Sequence, residues 1–146
     1  MKKELPYIAL SLVLLYTLLG FPVSINTLLQ DSTLDINFYD TYLVIEGRDY
    51  IIFSFVFAFV SVYFMRVLVT KFQHRIANYI YLIFNVLFMV ILGYITQLFY
   101  VISQGFEING VQHNTGLSKE FYFFSFLFLV ALAMEIYTIM RVRKQS

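Results

Sequence analysis

The chain has 146 residues, of which 60% are hydrophobic and 13% charged, and its formal net charge is +1. Soluble domains contain about 25% charged residues, so this composition is typical of a membrane protein and excludes an ordinary soluble domain. The near-neutral charge gives no reason to expect a nucleic-acid partner. The absence of cysteine excludes disulfides, thiol catalysis and iron–sulfur clusters.

Four apolar segments are long enough to cross a bilayer, since a helix of about 20 residues spans roughly 30 Å of hydrocarbon. Backbone groups in lipid must be hydrogen-bonded within the segment, which favours helix in spite of many β-branched and aromatic residues. The sequence therefore predicts an all-α integral membrane protein, with a single domain over residues 1–146 that forms an antiparallel four-helix bundle. The expected transmembrane helices lie at about 5–29, 50–70, 77–103 and 121–140.

Basic residues mark one side of this predicted domain. They precede the first helix at Lys2 and Lys3, occupy the turn "KFQHR" between the second and third helices, and end the chain, whereas the two longer loops are mainly acidic. By the positive-inside rule, both termini and the short turn are expected on the cytoplasmic face of a plasma (inner) membrane. The first segment is too long for a signal peptide, so we expect a retained helix that bends near Gly20 and Pro22.

The first long loop contains the stretch "DINFYDTYLVIEGRDYIIFS", residues 35–54. It resembles the tenth helix of the catalytic subunit of haem-copper terminal oxidases. Asp40, Thr41 and Tyr42 match an Asp-Thr-Tyr motif of that family, and Tyr50 matches the tyrosine after its second haem-binding histidine. The resemblance implies a helix that is capped by Asp40 or Thr41 and enters the membrane near Tyr50.

Period-two alternation in the same region gives a competing prediction. Leu34, Ile36 and Phe38 fall on one face of an extended chain, which is typical of a short strand or of a hairpin closed by "EGRD". We favour the helix, although Gly47 inside it would cost up to about 1 kcal/mol. In the second long loop, Asn109-Gly110 predicts a tight hairpin turn.

The residues that bind haem in the oxidase family are missing from this chain. The positions of the two axial histidines hold Gly47 and Asp49, and a histidine that helps to bind magnesium in the family is replaced by Tyr39. The two histidines of the chain, His74 and His113, are expected on opposite sides of the membrane. We therefore expect no haem, no copper pair or other cofactor, and no catalytic residues.

The acidic residues of the first long loop could bind a cation. Asp40 with Glu46 or Asp49 offers the hard oxygen ligands that calcium and magnesium prefer. Arg48 lies among these residues and can pair with them. We therefore favour a solvated acidic outer loop over a metal site.

Two ionisable residues, Arg66 and Glu135, lie within apolar segments, where charge is costly and is normally paired or functional. Their similar distances from the cytoplasmic ends of the second and fourth helices predict an intramembrane ion pair. The alternative for Arg66 is that its side chain extends to the membrane interface, which requires no partner.

The third helix has the most polar residues of the four. Polar side chains on a membrane helix usually mark an interface with another helix, and a conduction path is the more specific alternative. The residues expected at the interface are Asn78, Tyr81, Asn85 and Gln97.

These observations predict a non-enzymatic membrane protein that acts by association, as a subunit or accessory factor of a larger membrane complex. Its expected partners are membrane lipids and other membrane subunits. The oxidase-like segment suggests a respiratory complex, by analogy alone. The alternative is a small homo-oligomeric channel, transporter or pore-forming effector.

Overall fold

A computed structural model of the chain describes residues 4–20, 33–38, 41–103, 107–108, 111–112 and 119–144. Helices make up most of this part of the chain. They are α1 (Leu5–Gly20), α2 (Gly47–Val69), α3 (Arg75–Ser103) and α4 (Lys119–Arg143). With 23, 29 and 25 residues, α2, α3 and α4 are long and apolar enough to cross a membrane, whereas α1 is a shorter apolar helix.

The predicted helices 50–70, 77–103 and 121–140 are confirmed, and each begins two or three residues earlier than expected. The first predicted helix, 5–29, is confirmed as far as Gly20. Its remaining residues, with the expected bend at Pro22, lie outside the described part of the chain. The 16 residues of α1 would reach about 24 Å, which is short of the roughly 30 Å of a hydrocarbon core.

An antiparallel hairpin precedes α2. Strand β1 (Thr33–Phe38) pairs with β2 (Thr41–Glu46), in a register that runs from Thr33 opposite Glu46 to Phe38 opposite Thr41. The favoured helical interpretation of this segment was therefore wrong, and the alternation identified the strand. Glu46 occupies the N-cap position of α2 and Gly47 begins the helix, so the cap expected at Asp40 or Thr41 was wrong. Thr41 lies in β2, and Asp40 lies outside the described residues.

A second, shorter hairpin lies between α3 and α4. Its strands are β3 (Glu107–Ile108) and β4 (Val111–Gln112), which pair in antiparallel fashion. They flank Asn109-Gly110, as expected for a hairpin with a turn at this dipeptide.

The chain forms two compact units, Met1–Phe84 and Asn85–Ser146, whose boundary falls inside α3. The single domain expected over residues 1–146 stays a prediction. In the first unit, α2 supplies most of the buried side chains. Phe59 stacks on Phe84 of α3 with ring centroids 4.5 Å apart, and Tyr63 is fully buried one turn further along α2.

Helix α1 lies against α2 through contacts at both of its ends. The hydroxyl of Tyr50, near the start of α2, donates to the carbonyl of Leu18, near the end of α1, at 2.9 Å. Arg66, near the end of α2, donates to the hydroxyl of Tyr7, near the start of α1. Between these contacts Ser11 is fully buried, and a small residue of this kind allows close approach of two helices.

In the second unit, the later part of α3 is joined to α4 at two levels. Near the end of α3, Phe99 stacks on Phe124 at the start of α4, with ring centroids 5.4 Å apart. At the other end of this unit, Asn85 donates to the carbonyl of Ala131 at 3.0 Å. The first four turns of α4 thus face the last turns of α3.

Candidate functional site

A cluster of polar side chains joins the start of α1 to the end of α2 and to the following turn. We call it the Glu4 cluster; its members are Glu4, Tyr7, Tyr63, Arg66 and His74. The carbonyl of Glu4 accepts the first backbone hydrogen bonds of α1, from the N–H groups of Tyr7 and Ile8. Its side chain is only 4% exposed, so a carboxylate lies in the interior at the point where α1 begins.

Two basic side chains from the α2 end of the cluster approach the Glu4 carboxylate. Its Oε1 lies 3.4 Å from Arg66 Nη2 and 3.3 Å from His74 Nδ1. The Arg66 guanidinium also lies over the Tyr7 ring, 4.1 Å from the ring centroid, and its Nη1 donates to the Tyr7 hydroxyl at 2.9 Å. Arg66 therefore combines an ion pair, a hydrogen bond and a cation–π contact.

Several polar atoms of this unit remain unsatisfied although they are buried. Within the described residues, no hydrogen-bond partner is found for these atoms: Glu4 Oε2, Tyr63 OH, Arg66 Nε, His74 Nδ1 and Asn78 Oδ1. Native protein interiors contain few buried polar groups without a hydrogen bond, and such groups can have a functional role. Their concentration at one end of the first unit identifies the Glu4 cluster as a candidate functional site.

The turn between α2 and α3 fixes the position of His74. The N–H of Phe72 donates to the carbonyl of Val67, and that of Lys71 to Leu68, which is the Schellman pattern that ends many helices. Lys71 and Phe72 have φ angles of 49° and 63°, a conformation that costs energy for residues other than glycine. Asn78 offsets part of this cost, because its amide donates to the carbonyl of Phe72 at 2.8 Å.

A second polar contact lies inside the second unit. The Asn85 amide donates to Glu135 Oε2 at 2.8 Å and to the carbonyl of Ala131 at 3.0 Å. Asn85 is 1% and Glu135 7% exposed, so both side chains are withdrawn from the surroundings of the helices. A neutral amide is therefore the partner that this buried carboxyl group has in its own unit.

The expected ion pair between Arg66 and Glu135 stays a prediction, because the two residues belong to different units. Arg66 contacts Glu4 and Tyr7, and Glu135 contacts Asn85, in each case within its own unit. Arg66 contacts Glu4 and Tyr7 because residues near the start of α1 lie at the same level as Arg66. Glu4 was missed because it precedes the apolar segment; its position among lysines at the basic end of the first helix was the available signal.

The polar residues expected at a helix interface divide into two groups. Asn78, Tyr81 and Asn85 are buried, and the Tyr81 ring lies 5.9 Å from that of Phe64 in α2. Gln97 is exposed and forms no hydrogen bond with any described residue. The first three positions thus serve contacts inside the chain, whereas Gln97 presents its amide outward.

The described residues of the predicted acidic loop lie on the surface. Glu46, Arg48 and Asp49 are exposed at the start of α2, where the Asp49 carboxylate is favourably placed near the positive end of the helix dipole. Asp40 lies outside the described residues. Across the part of the chain that the structure describes, no three metal-binding side chains come together.

The chemistry that the Glu4 cluster offers is the balance of a buried negative charge by neighbouring basic side chains. The guanidinium of Arg66 keeps its positive charge and balances that of the Glu4 carboxylate. The arrangement thereby ties three chain segments together where α1 begins and α2 ends. Comparison with protein-family models, with curated proteins and with solved structures found no match to this chain.

Proposed function

We propose that this chain is an integral membrane protein of four antiparallel helices, with both termini on the cytoplasmic side. The lengths and mean hydropathies of α2, α3 and α4, which lie between 2.0 and 2.2, support the membrane assignment. The basic residues at the termini and in the α2–α3 turn support the orientation.

The orientation can be tested with single cysteines, because the chain has none of its own. A cysteine at Ser32 is expected to react with an impermeant maleimide on intact cells, and a cysteine at Ser146 only after the cells are permeabilised. Labelling of both variants after permeabilisation is the control for reactivity. External labelling at position 146 would contradict the proposed topology.

We further propose that the protein acts by association, as a non-enzymatic subunit or accessory factor of a larger membrane complex. The observation that carries this proposal is one exposed face of α3, which we call the α3 stripe. Its residues recur at intervals of three, four or seven, as on a helix that packs along another helix. They are Val90, Tyr94, Gln97 and Val101.

Gln97 is the residue of the α3 stripe for which contact with lipid is least favourable. Hydrocarbon offers no hydrogen-bond partner, so an outward-facing amide in an apolar helix is costly unless another protein segment pairs with it. The Val90, Tyr94 and Val101 side chains around it are about three-fifths exposed or more and can supply the apolar contact. Polar side chains that hydrogen-bond across helices are typical of a membrane helix interface.

Site-specific photo-crosslinking in cells tests this association. A photoreactive phenylalanine at Tyr94 is expected to form adducts with an unlike membrane protein that mass spectrometry can identify. The matched control is Tyr16 of α1, since Tyr94 is 66% and Tyr16 69% exposed. Replacing Gln97 by leucine is expected to lower the adduct yield from Tyr94 about threefold, in line with about 0.6 kcal/mol for one interhelical hydrogen bond.

The same experiment separates the two classes of function. Adducts of the chain with itself would favour the alternative, a homo-oligomeric channel, transporter or pore, in which the α3 stripe of one copy meets that of another. Equal adduct patterns from Tyr94 and Tyr16 would contradict both, because they would reflect random collision in the membrane.

A further inference from the structure

Two adjoining cavities lie at the end of the first unit that holds the Glu4 cluster. The first is a groove of about 290 Å³ between α1 and α2, with apolar walls that include Leu10, Leu14, Val62 and Met65. The second, of about 400 Å³, lies at the α2–α3 turn. Val69 lines both, so the two cavities adjoin at the end of α2.

The second cavity is polar and carries positive charge. It is lined by Thr70, Lys71, Gln73 and His74, which offer an ammonium group, a hydroxyl, an amide and an imidazole. Lys71 is exposed, whereas Glu4 is buried and contacts Arg66 and His74. An anion at this cavity would therefore meet the Lys71 cation and the hydrogen-bond donors of Thr70 and Gln73, while the Glu4 carboxylate behind His74 is paired with Arg66.

We propose that the two cavities form one binding site for an anionic phospholipid, with its phosphate at Lys71 and an acyl chain in the apolar groove. The charge of the turn complements the phosphate, and the groove complements the acyl chain. The proposal rests on the membrane assignment and on the cytoplasmic position of this turn, since the cytoplasmic leaflet carries the anionic lipids.

Lys71 is held in place for this role by the backbone around it. Its φ of 49° turns the chain sharply after α2, and its N–H is bonded to the carbonyl of Leu68. The Asn78 amide secures the next residue, Phe72, whose side chain is buried. The direction in which Lys71 leaves the helix end is thus set by bonds that a change of its side chain would leave intact.

Native mass spectrometry of the protein, released from bilayers of equal phosphatidylglycerol and phosphatidylcholine, tests this site. The protein is expected to retain phosphatidylglycerol in preference, and Lys71→Gln is expected to reduce this retention roughly fivefold, as the loss of one basic contact predicts. Lys71→Arg should preserve it. The matched control is Lys144→Gln, which removes the same charge from an exposed residue outside both cavities.

The outcomes also distinguish a phospholipid site from a site for any small anion. Lysophosphatidylglycerol should displace the bound lipid, whereas glycerol phosphate without an acyl chain should not; equal displacement by both would leave only an anion site and overturn the proposal. Equal losses in Lys71→Gln and Lys144→Gln would overturn it as well, in favour of general charge attraction. Release of the protein from membranes by carbonate would refute the membrane assignment itself, whereas a retained protein without phosphatidylglycerol preference would refute the lipid site alone.

Discussion

Replacing Arg66 by glutamine is expected to destabilise the protein by about 1–3 kcal/mol, because it leaves the Glu4 carboxylate buried beside His74 alone. The Arg66 side chain is 12% and that of Glu4 is 4% exposed, so water reaches neither charge freely. Fully buried pairs cost more to break, but Glu4 precedes α1 and can move into solvent when its partner is lost. The substitution also removes the cation–π contact with Tyr7.

Glu4→Gln is expected to cost less, about 1 kcal/mol, because Arg66 retains the hydroxyl and the ring of Tyr7. The double variant should lose about 1 kcal/mol less than the sum of the two single changes, since both charges disappear together. Unfolding by sodium dodecyl sulfate in mild detergent measures all three free energies.

Exposed residues provide the matched controls for this cycle. Arg75→Gln and Glu120→Gln make the same charge changes at exposed helix starts, and each is expected to alter stability by less than about 0.5 kcal/mol. Additive effects of Glu4→Gln and Arg66→Gln, within about 0.5 kcal/mol, would show that the two side chains do not interact. A partner other than Glu4 would then have to account for the burial of Arg66.

The length and apolar character of α2, α3 and α4 could be predicted from sequence because one physical constraint dominates them. A long apolar run has to satisfy its backbone internally, and the helix does this whatever its side chains prefer. The same constraint does not act between residues 33 and 46, where the chain is not uniformly apolar. There the period-two alternation predicted the structure correctly. Thr41 and Tyr42, which match the oxidase motif, lie in β2 and not in a helix.

The partners of individual polar residues could be predicted much less well. Helix numbering places Arg66 at a certain depth, but several segments reach that depth, and the contact between α1 and α2 brings Glu4 to Arg66. The exposed position of Gln97 could not be predicted either. Helices with apolar residues on every side give no periodic signal of which face the chain itself covers.

Replacing Asn85 by leucine is expected to cost about 1–2 kcal/mol, because one amide group serves two buried acceptors. Its N–H groups bond to Glu135 Oε2 and to the Ala131 carbonyl, so the substitution leaves Glu135 Oε2 without this donor in an apolar interior and removes the second bond of a carbonyl that keeps its helical one. Glu135→Gln should change stability by less than about 0.5 kcal/mol, since the amide oxygen of glutamine can accept the same bond.

The apolar double variant tests whether Asn85→Leu destabilises the protein because it leaves a buried polar group without a hydrogen-bond partner. Asn85→Leu with Glu135→Leu removes donor and acceptor together, so it should be less destabilising than the sum of the two single leucine variants by about 1 kcal/mol. The control is Gln97→Leu, which removes an exposed amide from the same helix and should leave the isolated protein within about 0.5 kcal/mol of wild type. If Asn85→Leu were as mild as Gln97→Leu, the contact with Glu135 would not stabilise the fold. A carboxyl group retained inside α4 without a stabilising partner would then point to a role for Glu135 in function, since the apolar surroundings alone disfavour it.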